Sequence, residues 1–167
     1  KLTEMGPAAN LPQFNRILDL INVAKNEGAE LVVGGVPGVE AELESGYFVE
    51  PTIFSNVKNS MQIAQTEVFG PVLSIIPFDD EAEALSIAND TNFGLAAGIW
   101  TTNINRAMRI SSEINAGTVW VNTYRSVAVQ APFGGYKDSG FGRERGEVAL
   151  NEFTNTKNVM IDFSDEE

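Results

Sequence analysis

Between Leu11 and Ala24 the apolar positions Leu11, Phe14, Ile17, Leu18, Ile21, Val23 and Ala24 recur mostly at intervals of three and four, the spacing that lines one face of a helix. An amphipathic helix is therefore expected over residues 10–27, with Gly28 placed to end it. Leu31-Val32-Val33 reads as a short strand. The stretch Gly34-Gly35-Val36-Pro37-Gly38, followed by Glu40, Glu42 and Glu44, reads as a solvated loop. A second strand is expected at residues 51–54, where Pro51, having no N–H to donate, belongs at a strand start or an edge.

Further along, the pattern alternates: strand at 72–78, helix at 80–89, strand at 96–100, helix at 104–114, strand at 118–121. Strands joined through helices of this length lie parallel with right-handed crossovers. The expected fold class is thus α/β, an open, mostly parallel twisted sheet built on a βαβαβ core at residues 72–122 with flanking helices. Asp79 or Asp80 serves as one helix N-cap and Asn103 as the next, because their side-chain oxygens accept from orphan backbone donors. A last helix is expected over 143–153 and a terminal strand at Val159-Met160-Ile161.

With 167 residues, 43% of them hydrophobic, one ordinary core is the default. The balance of 11 basic against 23 acidic residues leaves a net charge of −12, which repels phosphate backbones and anionic lipid and argues against nucleic acid or a membrane as partner. The first ten residues lack the apolar core of a secretion signal and no apolar run reaches membrane-spanning length, so a soluble, cytoplasmic protein is expected. There is no cysteine and no histidine, which removes disulfides, thiol catalysis and the commonest metal ligand. No metal site is assigned, and any autonomous mechanism would have to run on Asp, Glu, Lys, Tyr, Ser or Thr.

The glycine-rich stretch at 134–146 invites comparison with a phosphate cradle but lacks its chemistry. Lys137 is followed by Asp138 rather than Ser or Thr, and Arg145 stands where a dinucleotide fingerprint requires a third glycine. Here the glycines are read as permitting tight backbone passage, with Arg143 and Glu144 anchoring the turn.

Taken whole, Pro132-Phe133-Gly134-Gly135-Tyr136-Lys137-Asp138-Ser139-Gly140-Phe141-Gly142-Arg143-Glu144 resembles a C-terminal signature of the aldehyde dehydrogenase family. The resemblance extends through Met5-Gly6-Pro7, Glu67-Val68-Phe69-Gly70-Pro71, Asn92-Phe93-Gly94-Leu95-Ala96-Ala97-Gly98 and Trp120-Val121-Asn122-Thr123-Tyr124, in order and over almost the entire chain. It implies NAD or NADP as cofactor and oxidation of an aldehyde to a carboxylic acid through a thioester.

By the same resemblance, Glu67 accepts hydrogen bonds from the ribose next to nicotinamide, the alternative being a solvated loop carboxylate. Phe69 packs beside the nicotinamide, or else into the core. Phe133 lines the aldehyde channel, and the loop 124–131 shapes substrate choice. Within it Val127, aromatic in some relatives, implies a wider channel. Arg125 implies a preference for negative or polar tails, or is simply a solvent-facing residue.

The family nucleophile is a cysteine, so the resemblance also implies that the chain is the portion following that cysteine and is inactive alone, with the missing N-terminal portion as its partner. Residues 1–155 are then a partial catalytic domain and 156–167 a C-terminal strand and tail that serves homo-oligomerisation. The alternative is a stand-alone, non-catalytic assembly module derived from the same fold.

Overall fold

A computed structural model of the chain describes residues 5–38 and 46–163. The acidic run Glu40, Glu42 and Glu44 lies outside the described residues. Elements in the first of two units, Lys1–Asp90, begin with helix α1, Leu11–Asn26. Asn10 caps it, its side-chain oxygen accepting from the Gln13 N–H at 2.9 Å. At the other end Gly28 takes φ +92°, and the N–H groups of Gly28 and Ala29 return to the carbonyls of Lys25 and Ala24. That pairing closes the helix in the way a left-handed glycine just past a C-cap allows. Its buried stripe is Ile17, Leu20, Ile21 and Ala24, the three-and-four spacing read from the sequence.

This stripe packs on a three-stranded sheet of order β1-β2-β3, formed by β1 (Glu30–Val33), β2 (Thr52–Ser55) and β3 (Val72–Ser74). β1 pairs antiparallel with β2, with an irregularity between Leu31 and Val33, and β2 pairs parallel with β3. Pro51 immediately precedes the central strand, so of the two placements open to it the strand start is the one used. Phe54 on β2 is 0% exposed and sits among Ile17, Ile21, Val57 and Met61. Thr52, the buried polar side chain of this core, donates to the Glu50 carbonyl at 2.7 Å and accepts from the Gly35 N–H at 2.8 Å.

β3 stops three residues into the expected strand. The Ile75 N–H still reaches the Phe54 carbonyl at 2.9 Å, but Pro77 has no N–H to extend the ladder. A short helix that the periodicity did not disclose, α2 (Gln62–Gln65), has its first N–H taken by the Glu27 carboxylate at 2.9 Å. α3 (Glu81–Asn89) is capped by Asp80, which accepts from the Glu83 N–H, while the Glu83 carboxylate accepts from the Asp79 N–H.

The second unit, Thr91–Glu167, contains β4 (Phe93–Gly94), β5 (Ala96–Ile99), α4 (Ile104–Glu113), β6 (Thr118–Val121), β7 (Tyr136–Lys137) and α5 (Ala149–Glu152). β5 and β6 are parallel across α4, the βαβ connection expected, and Asn103 caps α4 as expected. β4 and β7 form a separate two-residue antiparallel ladder. The α/β class holds, but the strands pair in small parallel and mixed sheets: among the described residues β3 pairs with β2 and not with β5, so the sheet expected over residues 72–122 is divided.

Two expectations at the C-terminal end are corrected. The helix at 143–153 shrinks to α5, because Arg145 and Gly146 take φ +63° and +60° and a right-handed helix cannot pass through them. The strand at 159–161 is absent among the described residues: Val159, Met160 and Ile161 are exposed and pair with no ladder. No helix among the described residues is long and apolar enough to cross a membrane.

Candidate functional site

The turn Glu67-Val68-Phe69-Gly70-Pro71 is clamped from two sides of the first unit. From α1, the Gln13 side-chain amide donates to the carbonyls of Val68 and Phe69 at 2.9 and 3.1 Å, and Arg16 donates to Val68 at 3.3 Å. From β2, the Thr52 N–H donates to the Pro71 carbonyl at 2.8 Å. Gly70 lies so close to α1 that a Cβ there would come within 2.6 Å of Ile17 Cδ1. Phe69 takes φ +54°, a left-handed conformation that costs a bulky residue about 1–2 kcal/mol.

Phe69 is 74% exposed and does not belong to the core of this unit. Glu67, exposed on the same turn, offers a carboxylate to solvent. Gln13 and Arg16 were not legible as supports, since they lie more than fifty positions away along the chain.

In the second unit a pocket of about 360 Å³ opens against β5 and β6, and Arg125, Val127 and Phe133 all line it. Trp120 and Tyr124 line it as well, with ring centroids 5.5 Å apart at 73°. Neither aromatic was singled out from the sequence as a channel residue. Their spacing on either side of Asn122 was visible, but not the loop path that folds them together. That path is set by Asn122, which at φ +52° exchanges two hydrogen bonds with the Thr101 backbone, 2.9 Å to its N–H and 2.8 Å to its carbonyl. The Trp120 indole N–H then donates to the Ser126 carbonyl at 2.7 Å, fixing the loop on its own strand. The Arg125 guanidinium lies over the Tyr124 ring, 5.4 Å from its centroid.

The glycine-rich run behaves as backbone packing. Phe133 and Glu144 exchange a pair of hydrogen bonds, each 2.8 Å, and the Arg143 guanidinium closes the turn on the carbonyls of Gly135 and Gly142 at 3.0 and 2.6 Å. Arg143 is thus the anchor expected, with its Nη1 donating to the backbone twice. The Ser139 hydroxyl accepts from the Gly94 N–H at 3.0 Å, tying the run to β4. Among the described residues no group of three or more acidic side chains is placed to hold a metal ion.

Comparison with known proteins identifies the family. The model of the aldehyde dehydrogenase family matches residues 1–159. The betaine aldehyde dehydrogenase of Brucella anthropi is 48% identical over 162 residues, covering 96% of this chain and 33% of its own length. Human 4-trimethylaminobutyraldehyde dehydrogenase is 45% identical over 168 residues, covering 99% of this chain and 34% of its own. The crystal structure of a Mycobacterium tuberculosis aldehyde dehydrogenase complexed with NAD+ superposes with a TM-score of 0.88 at 43% identity, over 98% of this chain and 33% of that one. The chain spans about a third of the length of the curated relatives it matches. From its first clamped turn to the loop around the pocket, in sequence and in backbone, this chain belongs to the aldehyde dehydrogenase family.

Proposed function

We propose that the chain is the C-terminal portion of an NAD(P)-dependent aldehyde dehydrogenase that oxidises an aldehyde to a carboxylic acid through a thioester, and that it is inactive without the portion bearing the nucleophile. The observation that carries this reading is Phe69, an aromatic residue held 74% exposed in a left-handed conformation by hydrogen bonds from α1. Strained, clamped and apolar, such a residue is kept for a ligand rather than for the core.

Phe69 offers a flat apolar face and Glu67 a carboxylate that accepts two hydrogen bonds at once, the pairing suited to nicotinamide and its ribose. NAD or NADP, when bound, supplies the hydride acceptor. Glu67 orients the ribose, Phe69 shields one ring face from water, and Phe133 and Val127 guide the aldehyde. The chain itself contains no cysteine and so provides no thiolate. The reading carries with it a cytoplasmic enzyme that forms homo-oligomers, residues 1–155 serving the catalytic domain and 156–167 the assembly of subunits. Exposed Met160, Ile161 and Phe163 support the assembly role.

Two preparations test this. The chain alone, incubated with NAD or NADP and propanal, yields no reduced cofactor, whereas the complete polypeptide turns over. In the complete polypeptide Phe69→Ala raises the KM for cofactor about five- to tenfold, the equivalent of one lost ring contact. Turnover by the chain alone, or an unchanged cofactor KM in the variant, would sink the reading.

A further inference from the structure

We infer that Arg125 makes the pocket of the second unit selective for aldehydes bearing an anionic group at the end away from the carbonyl, an inference that rests on the dehydrogenase reading above. At about 360 Å³ the pocket falls in the range of small-molecule sites. Its walls are the backbone of β5 together with Trp120, Tyr124, Val127 and Phe133, and Arg125 is the charged residue that lines it.

Three aromatic rings around one cavity suggest at first a cage for a cationic tail. Two of them are already taken by guanidinium groups. Arg125 sits 5.4 Å from the Tyr124 centroid and Arg145 sits 5.9 Å from that of Phe133. A trimethylammonium tail entering this cavity meets like charge at Arg125, the charged residue of its lining, and a carboxylate meets opposite charge.

Arg125 is also held in advance of a ligand. Its backbone is left-handed at φ +57°, and the residue after it is pinned by the Trp120 indole through the Ser126 carbonyl. The ring under its guanidinium is braced edge-on by Trp120. Among the described residues no hydrogen bond or ion pair engages its side chain, so the planar fork is left to pair with a carboxylate. At this open site such a pair is worth roughly tenfold in affinity.

The test uses the complete polypeptide and reads a ratio. The kcat/KM for succinic semialdehyde is divided by that for butanal, in the parent and in Arg125→Met and Arg125→Lys. The expected result is a ratio well above unity in the parent, a roughly tenfold fall in Arg125→Met and partial recovery in Arg125→Lys. Equal kcat/KM for the two aldehydes in the parent, or a ratio unmoved by Arg125→Met, overturns the inference.

Binding gives a readout independent of turnover, from tryptophan fluorescence titrated with hexanoate and with hexanamide. Tighter hexanoate binding that Arg125→Met abolishes supports the anion site even if no aldehyde is oxidised, an outcome that would count only against the dehydrogenase reading. Equal binding of the acid and the amide overturns the anion site itself.

Discussion

The side-chain amide of Gln13, in the first turn of α1, donates to the carbonyl of Phe69 at 3.1 Å and so holds the residue whose ring is most conspicuously offered to solvent on its turn. The same amide serves Val68 at 2.9 Å. Gln13→Ala removes both bonds, and the expected loss of stability is about 1 kcal/mol, read from the denaturation midpoint. In the complete polypeptide the freed turn also weakens cofactor binding. Gln13→Glu, which cannot donate and sets a carboxylate against both carbonyls, loses at least as much.

Gly117 faces backbone that has no room to yield. A Cβ there would overlap the Gly134 carbonyl, so Gly117→Ala must push β6 away from the glycine-rich run. A cost of about 3 kcal/mol or more is expected, against less than about 0.5 kcal/mol for Gly6→Ala, whose added methyl meets nothing within 4 Å. Thermal unfolding of the two variants side by side decides it.

Asn122 works as a backbone splint between β6 and the Thr101 turn, accepting at one end of its amide and donating at the other. Asn122→Asp keeps the acceptor and loses the donor, setting a carboxylate against the Thr101 carbonyl. The expected cost is about 1–3 kcal/mol in stability, together with a loss of pocket binding.

Phe54 and Phe141 provide an internal contrast. Phe54 is fully buried on the central strand of its sheet, and Phe54→Ala should cost about 3–5 kcal/mol. Phe141 is fully exposed, and Phe141→Ala should change stability by less than about 0.5 kcal/mol.

Much of the fold could be read from spacing wherever a periodic run was long enough to speak for itself. α1 declared its face and its terminating Gly28, and the segment from β5 through α4 to β6 declared its parallel pairing. The errors gathered where local pattern was overruled. Val159-Met160-Ile161 has the composition of a strand, but a strand exists only with a partner to bond, and none of the described residues supplies one. The helix expected at 143–153 was cut back by two left-handed residues, Arg145 and Gly146, and only the glycine hinted at this. β4 and β7, two residues each, are too short for any period to register.

At the site, Glu67 and Phe69 were legible as a motif, Arg125 and Val127 as members of the loop 124–131, and Phe133 as part of the run that follows it. Their surroundings were not. Gln13 reaches Phe69 across fifty-six positions, and Trp120 enters the pocket only because Asn122 turns the chain back on itself. Contacts of that kind depend on tertiary packing, to which local periodicity is blind.

The distribution of buried side chains has a consequence for motion. Apart from Ile99 and Ala107, every buried hydrophobic residue described belongs to the first unit, and all four residues of β6 are half-buried. Local opening of a segment costs little free energy when it exposes little apolar surface. Amide deuteration should therefore reach Val119 and Val121 long before it reaches Phe54. Arg125 therefore keeps its place through the local braces of Trp120 and Tyr124, with little buried apolar mass beneath it to do so.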